Sequence, residues 1–174
     1  MALIVETGVG LANSESYASV AELKTYWDNF GLSYAAFSDT QLEQHLRKGT
    51  RYMVQKYRLR WKGVRTSSTQ ALDWPRSGVA TEPGALGYGG LYVVDPNTVP
   101  TDIKNACIIM ANKSSAGVDL FADGTQKAVE ETIGPITVKY EQGSSQRVQY
   151  DSVSALLAPY LSSVGGVSVS LVKG

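Results

Sequence analysis

No group of residues in this 174-residue chain has the types and spacing that catalysis or metal binding requires. The one histidine, His45, lacks cysteine or carboxylate helpers at the spacing of a metal site. The GYGG stretch at 87–90 lacks the preceding strand and following helix with which a glycine loop holds phosphate. Glu130 and Glu131 are adjacent, and neighbouring side chains point apart in a helix or strand. We therefore expect a protein that is not an enzyme, with no cofactor and no metal.

Residue types suited to binding are concentrated in RYMVQKYRLRWKGVR at 51–65. Tyr52, Tyr57 and Trp61 alternate there with cations, and single-strand nucleic-acid binders combine a basic groove with stacking rings. Tyr57 also falls on the apolar stripe of a predicted helix, so at least one ring belongs in the core. The arginines could instead meet acids of a neighbouring copy, and the pattern leaves both interpretations open.

Charge is segregated along the chain although the formal net charge is zero, from 16 basic and 16 acidic residues. A protein that coats DNA by charge alone is normally basic overall. Between residues 44 and 72 there is no acid, and the remainder carries a net charge of −8. Such a chain can pair with copies of itself, or with a partner whose charges are arranged to complement it. The alternative is that the basic segment is a solvated helix face, which acids of the same fold neutralise. The eight basic residues of the segment are Arg47, Lys48, Arg51, Lys56, Arg58, Arg60, Lys62 and Arg65.

The motif ALDWPRSGV at 71–79 places a tryptophan before a proline and an arginine after it. Proline fixes its own φ and keeps the preceding residue out of the helical region, so Trp74 is held extended. We expect Trp74 to anchor the end of one element, which leaves Arg76 to contact an acid or a carbonyl. The alternative for Arg76 is a surface ion pair of about 0–1 kcal/mol.

Capping signatures and apolar periodicity predict four helices. Ser19 with Glu22 and Ser38 with Gln41 are capping boxes, which predict where the first two helices start. Gly31 is expected to end the first, and the second runs to about Tyr57 or Arg58. Its predicted apolar face comprises Leu42, Leu46, Gly49, Met53 and Tyr57, with Arg47, Arg51, Gln55 and Arg58 on a polar face.

The third helix starts at Thr101 or Asp102 and reaches about Ala116, with Cys107 on its inner stripe. A last short helix is expected to be capped by Asp151 or Ser152. The single cysteine excludes an intrachain disulfide.

Between and after these helices the sequence predicts extended segments. A short strand is expected in MALIVE, and a long loop or hairpin, with a strand at 91–94, in Ala80–Pro100. Alternation at 136–142 predicts a strand, with 147–150 as its hairpin partner. The last ten residues also alternate, which suits adding a strand to another molecule's sheet; a strand in the chain's own sheet, or disorder, is the alternative.

Together these elements predict a mainly α fold: a compact bundle of about four helices with a long inserted arm, a small β-hairpin and an extended C-terminal tail. The expected organisation is one domain over 1–164, with an arm at 77–100 and a hairpin at 133–150, followed by the tail at 165–174. No apolar run approaches the roughly 20 residues of a membrane span, and we expect no signal peptide, because MALIVE has no basic leader and is too short for one. We therefore expect a reducing cytoplasm, or a particle assembled there, and no membrane partner.

Several stretches carry a family resemblance: the N-terminal MALIVETGVGLANSESYASVAE, RYMVQKYRLRWKG, ALDWPRSGV, VPTDIKNACIIMA and EETIGPITVKYE. Over roughly residues 1–140 the chain resembles a tailed-bacteriophage family often labelled DnaT-like single-stranded-DNA-binding proteins. It is also similar to head–tail connector adaptors, which are small, mostly helical ring subunits. The resemblance implies a ring of about twelve copies, located in the virion neck between head and tail. Its implied partners are copies of itself, the portal protein, a stopper or tail protein, and packaged double-stranded DNA passing through the channel.

Two functions follow as hypotheses. The first is a structural adaptor, assembled in the host cytoplasm, that extends the DNA channel and links head to tail; the second is a single-stranded-DNA-binding protein. Because a ring repeats one heterologous contact, each subunit needs two complementary surfaces. For the adaptor we expect a subunit interface that includes Arg47, Arg51, Arg58, Arg60, Trp74 and Arg76, and a portal-binding tail that includes Val167, Val169, Leu171, Val172 and Lys173.

Overall fold

Four α-helices carry the core in the computed structural model, which describes residues 2–83, 91–122, 130–133, 136–139 and 150–162. The mainly α fold is as predicted. The helices are α1 (Val20–Asn29), α2 (Asp39–Tyr57), α3 (Thr101–Ser115) and α4 (Asp151–Leu157), with a 3₁₀ turn at Ala158–Tyr160. The strands are β1 (Val64–Arg65), β2 (Arg76–Ser77), β3 (Ala80–Pro83), β4 (Leu91–Val93), β5 (Glu130–Ile133) and β6 (Ile136–Lys139), paired antiparallel as β1–β2, β3–β4 and β5–β6. Within the described part of the chain, no helix has the length and hydropathy of a membrane span.

Both predicted capping boxes form. The Ser19 hydroxyl accepts the Glu22 amide at 3.2 Å, and the Glu22 carboxylate accepts the Ser19 amide at 2.7 Å. Ser38 and Gln41 repeat the arrangement at the start of α2. These reciprocal bonds satisfy amide groups that have no partner inside the helix, which fixes both starts. After α1, Gly31 adopts φ +66°, a left-handed conformation that favours glycine.

Close packing of α2 on α3 forms the centre of the fold. The predicted apolar face of α2 is buried, and Ile103, Ala106, Cys107 and Met110 of α3 are buried against it. At Gly49 the two backbones approach closely: a methyl group added there would lie 2.7 Å from the Cys107 carbonyl oxygen and 3.0 Å from the Ala111 nitrogen. The position therefore requires glycine for space and not for backbone freedom.

Cys107 is buried, as predicted, and its thiol lies 3.1 Å from the Thr50 hydroxyl oxygen. Burial raises the pKa of the Cys107 thiol. The thiol is therefore protonated and inert at neutral pH, and it packs as a small side chain of the α2–α3 interface.

The strand at 136–139 forms and pairs with β5 on its N-terminal side. The partner predicted at 147–150 lies, apart from Tyr150, outside the described part of the chain, so that pairing stays a prediction. Two local predictions are wrong. The N-terminal strand is reduced to one bridge between Val5 and Ser16, because the chain turns away at Gly8 and Gly10, both at positive φ. Asp151 is the first residue of α4 and not its cap; Tyr150 precedes it without a side-chain capping bond.

The predicted arm begins as a hairpin, in which Ala80 of β3 pairs with Val93 of β4. The strand expected at 91–94 is confirmed. Residues 84–90, and the tail from 163 onwards, lie outside the described residues.

Replacing Gly49 with alanine tests the α2–α3 contact. Alanine favours a helix interior over glycine by about 1 kcal/mol, so an open site would gain stability. Here we expect a loss of about 1–3 kcal/mol in the free energy of unfolding, because the new methyl group overlaps the α3 backbone. Urea unfolding measures the change, with the exposed Gln55→Ala in the same helix as the control. A stabilised Gly49→Ala protein would contradict the packing described here.

Candidate interaction surface

A loop at residues 6–15 forms one wall of the candidate surface, and Glu6 holds this loop in shape. Glu6 is completely buried, and its carboxylate accepts the amides of Gly8, Gly10 and Leu11 at 2.8–3.0 Å and the Ser14 hydroxyl at 3.1 Å. Four donors satisfy the buried carboxylate, which would otherwise be costly to bury. The loop is thereby closed, and its last residue, Glu15, reaches α2.

Three arginines of α2 and its C-terminal cap lie on the opposite wall. Arg47, Arg51 and Arg58 share one face of the helix and span about 16 Å along it. Beneath them is an open groove of about 350 Å³, which we call the arginine groove. Its lining residues are Ser14, Glu15, Arg47, Thr50, Arg51, Val54, Arg58, Ala71 and Leu72.

Ion pairs within the chain neutralise part of the arginine groove. Arg47 contacts Glu15 at 2.9 Å and Glu43 at 3.4 Å, and the hydrogen bond from Arg47 lowers the pKa of Glu15. Arg58 donates to the buried Asp73 carboxylate at 3.0 Å. Arg51 is exposed and has no ion pair among the described residues. The groove is therefore positive but partly compensated, and Arg51 is its most available cation.

The aromatic residues of the basic segment do not line this groove. Tyr52, Tyr57 and Trp61 are all buried in the core. Tyr52 packs edge-on against Tyr150, and Trp61 contacts Tyr57 on one side and Trp74 on the other. These rings consequently offer no exposed face on which a nucleic-acid base could stack. Cations and rings alternate in the sequence, but in the fold the rings lie in the core and the arginines of α2 lie at the surface.

Trp74 is an internal anchor, as the Trp-Pro-Arg motif suggested, and Arg76 contacts carbonyl groups of its own subunit, one of the two kinds of partner expected for it. Trp74 has 0% exposure and contacts Trp61 and Tyr160 edge-on at centroid distances of 5.8 and 5.7 Å; the Trp74–Pro75 peptide bond is cis. Arg76 is 8% exposed and donates to three carbonyl oxygens: Lys62 at 2.7 Å, Gly63 at 2.7 Å and Asp73 at 3.1 Å. Burial lowers the pKa of Arg76, but the guanidinium remains charged.

Lys62 joins the segments that leave the helical body near Trp74. Its ammonium donates to the Ala80 carbonyl at 3.1 Å and the Pro159 carbonyl at 2.7 Å, and its amide donates to the Tyr160 carbonyl at 2.9 Å. The Ser162 amide donates to the Arg60 carbonyl at 2.7 Å. We call this group the junction; it comprises Arg60, Trp61, Lys62, Gly63, Trp74, Arg76, Ala80 and 159–162. The turn after α2, the start of the β3–β4 hairpin and the last described residues of the chain, 159–162, all meet at it.

The structure thus separates the six predicted interface residues into three in the arginine groove and three at the junction, of which two are buried. Arg47, Arg51 and Arg58 meet in the arginine groove, and Arg60 lies at the junction with a partly exposed side chain. Trp74 and Arg76 are occupied inside the subunit, so the prediction that their side chains face a neighbouring subunit is corrected: they support the surface from beneath. The predicted tail residues Val167, Val169, Leu171, Val172 and Lys173 lie outside the described residues.

Sequence reasoning missed Glu6 and Lys62. Lys62 looked like one more cation of the basic segment, and nothing in its spacing indicates that its donors are used inside the fold. For Glu6 the sequence does hold a signal. The stretch ETGVGLANS at 6–14 is typical of a loop, and the backbone amides of such a loop need an acceptor, which the acid at its start can supply.

Comparison with known proteins places the chain in a family. A family model described as "Putative DnaT-like ssDNA binding protein" matches residues 1–174. The chain belongs to this family. The DnaT-like resemblance seen in the sequence is therefore confirmed over the whole length, whereas the head–tail connector role stays a prediction. No curated protein and no solved structure matches the chain.

In this DnaT-like chain, Arg76→Lys tests whether the junction depends on the guanidinium. Lysine has one ammonium group and cannot reach three carbonyl oxygens in the geometry of the planar guanidinium. We expect a loss of about 2 kcal/mol in the free energy of unfolding, since buried carbonyls lose charge-assisted hydrogen bonds. Arg65→Lys is the matched control, because Arg65 is exposed and pairs directly with Arg76 across β1–β2. Equal effects of the two substitutions in urea unfolding would contradict this role of Arg76.

Proposed function

We propose that this protein is a structural head-to-tail adaptor of a tailed phage, without catalytic activity. In this proposal about twelve copies form a ring below the portal, extend the DNA channel and link the head to a stopper or tail protein. The protein is assembled in the host cytoplasm and resides in the virion neck.

The observation that carries the proposal is the junction. The first strand of the hairpin arm, the basic turn after α2 and residues 159–162, which precede the C-terminal tail, meet at the same place, and Lys62 ties the first and last of them together through Ala80 and Pro159. A subunit that must grip a neighbour and a portal at once needs several contact segments with a fixed common origin. Trp74, packed between Trp61 and Tyr160, supplies that fixed origin.

The charge of the arginine groove also suits a DNA conduit. A channel through which a genome moves should not bind DNA tightly, because strong phosphate contacts would obstruct passage. Glu15 and Glu43 hold Arg47, and Asp73 holds Arg58, so two of the three arginines are already paired. This moderate positive charge can face DNA, or another subunit, without trapping a polyanion.

A second candidate function is single-stranded-DNA binding, which the family description favours. The arginine groove supports it with a row of three guanidinium groups, a spacing that can follow a phosphate backbone. The buried positions of Tyr52, Tyr57 and Trp61 weigh against it, since base stacking would have to use other rings. Binding by this groove would therefore be mainly electrostatic and strongly dependent on salt.

Composition of purified particles tests the adaptor role. We expect quantitative mass spectrometry of virions to find about twelve copies per portal ring. Removal of 165–174 should weaken portal docking in a pull-down while leaving urea unfolding unchanged, because the contacts of Leu161 and Ser162 remain. A full-length control, with Val167, Val169 and Leu171 changed to serine, separates loss of apolar contact from loss of length. Absence of the chain from virions would refute the adaptor proposal, and normal docking of the truncated protein would refute the role of the tail.

Fluorescence anisotropy with a labelled thymidine oligonucleotide tests the second candidate. If the groove binds single strands, Arg51→Glu lowers the affinity about tenfold and reduces the salt slope by about one. Glu15→Gln raises the affinity, because it removes a carboxylate that competes for Arg47. Lys113→Glu makes the same charge change at an exposed site of α3 and is expected to have no more than a small effect. No binding at low salt, or equal effects of Arg51→Glu and Lys113→Glu, would exclude the groove as the site.

A further inference from the structure

The two ends of α2 carry different surfaces. Residues 1–43 contain six acidic residues and one basic residue, a net charge of −5, and residues 44–72 carry a net charge of +8. Helix α2 crosses the boundary and is about 28 Å long. Although Glu15 lies beside Arg47 in the arginine groove, Asp39 and Glu43 are in the first two turns of α2, and Arg58 and Arg60 follow its last turn, so the two ends of the helix differ in charge. We call the end near the α1–α2 connection the acidic end and the end at 58–60 the basic end.

The basic end presents an apolar side chain between two cations. Leu59 is 97% exposed, in the turn that follows α2, and Arg58 and Arg60 flank it. Arg58 is half exposed and its guanidinium is held by Asp73, so its position is fixed. Backbone bonds from Arg60 to Tyr57 and from Ser162 to Arg60 fix the turn. Leu59 is therefore presented on a rigid support, although it contributes nothing to the core.

The acidic end presents aromatic surface beside a carboxylate. Phe30 is 64% exposed and stacks on Tyr26 with ring centroids 4.5 Å apart. Asp28, which accepts a hydrogen bond from Tyr34, lies on the same helix end and has no ion pair among the described residues. The nearby Lys24 is already held by Asp39 at 2.6 Å. The exposed Phe30 ring, supported by the partly buried Tyr26 ring and beside a carboxylate without an ion pair, is suited to contact an apolar side chain that has an arginine next to it.

We infer that the basic end of one copy docks on the acidic end of another copy of this chain. Leu59 packs on the Tyr26–Phe30 pair, and Arg60 approaches Asp28. This contact joins two different surfaces, so each copy retains one unused end and the association continues until it closes as a ring or grows as a filament. The inference rests on the proposed adaptor function, which requires contacts between copies, and it names the two surfaces that meet.

A mixing experiment with two single variants of the full chain tests this contact. Leu59→Asp places a carboxylate at the basic end, and Phe30→Lys places a cation at the acidic end; both positions are exposed, so the fold should be retained. Because the contact buries most of one leucine, each variant alone should associate at least about tenfold more weakly than the parent chain. Val9→Asp is the matched control, at an exposed apolar position in the loop at residues 6–15. Sedimentation velocity at low salt measures the association, and circular dichroism checks the fold of every variant.

The decisive sample is an equimolar mixture of the two variants. We expect association to return, because the intact acidic end of the Leu59→Asp chain meets the intact basic end of the Phe30→Lys chain. A mixture that remains monomeric would overturn the inference, as would undiminished association of the Phe30→Lys chain alone. If the parent chain associates but neither variant weakens it, the ring proposal survives and this assignment of its surfaces fails. If the parent chain does not associate at low salt, the inference also fails, whether or not virions contain the chain.

Discussion

The buried guanidinium of Arg76 is the interaction on which the exposed parts of this molecule depend. It draws together three carbonyl oxygens, at Lys62, Gly63 and Asp73, from two chain segments that residues 64–72 separate. Fixing Lys62 also fixes its ammonium, which binds Ala80 at the start of the arm and Pro159 before the tail. A buried charge is costly unless it is fully hydrogen-bonded, so this arrangement tolerates little change.

Around this junction the molecule consists of a rigid helical body and exposed surfaces that are available for contact with partners. The α2–α3 packing at Gly49 supplies the rigidity, and the loop closed by Glu6 supports one wall of the arginine groove. Charge is left on the outside of α2, with acids near one end and cations near the other. Such a division suits a protein whose work is to hold partners in fixed positions, and it requires no reacting group.

Local signals in the sequence predicted the helices well. Both capping boxes act within four residues, so the starts of α1 and α2 could be read directly. The apolar stripe of α2 was also correct, because burial follows the helical period. Alternation predicted β6 but not its pairing with β5, because a strand has two edges and alternation does not say which neighbour pairs with it. The anchoring role of Trp74 followed from the rigidity of the next proline, but its contacts with Trp61 and Tyr160 depend on tertiary packing.

The candidate surface was harder to predict, because a sequence does not show which charged side chains form bonds within the fold and which remain exposed. Eight cations looked alike, yet Lys62 is used inside the fold, Arg47 and Arg58 are paired, and Arg51 remains available. Cross-linking mass spectrometry on purified phage particles shows whether this chain contacts its own copies and a portal. We expect lysine cross-links from this chain to the portal protein, and links between Lys24 of one copy and Lys56 of the next in isotopically mixed samples. Particles that lack the chain, or that contain it without any link to the portal, would refute the adaptor role.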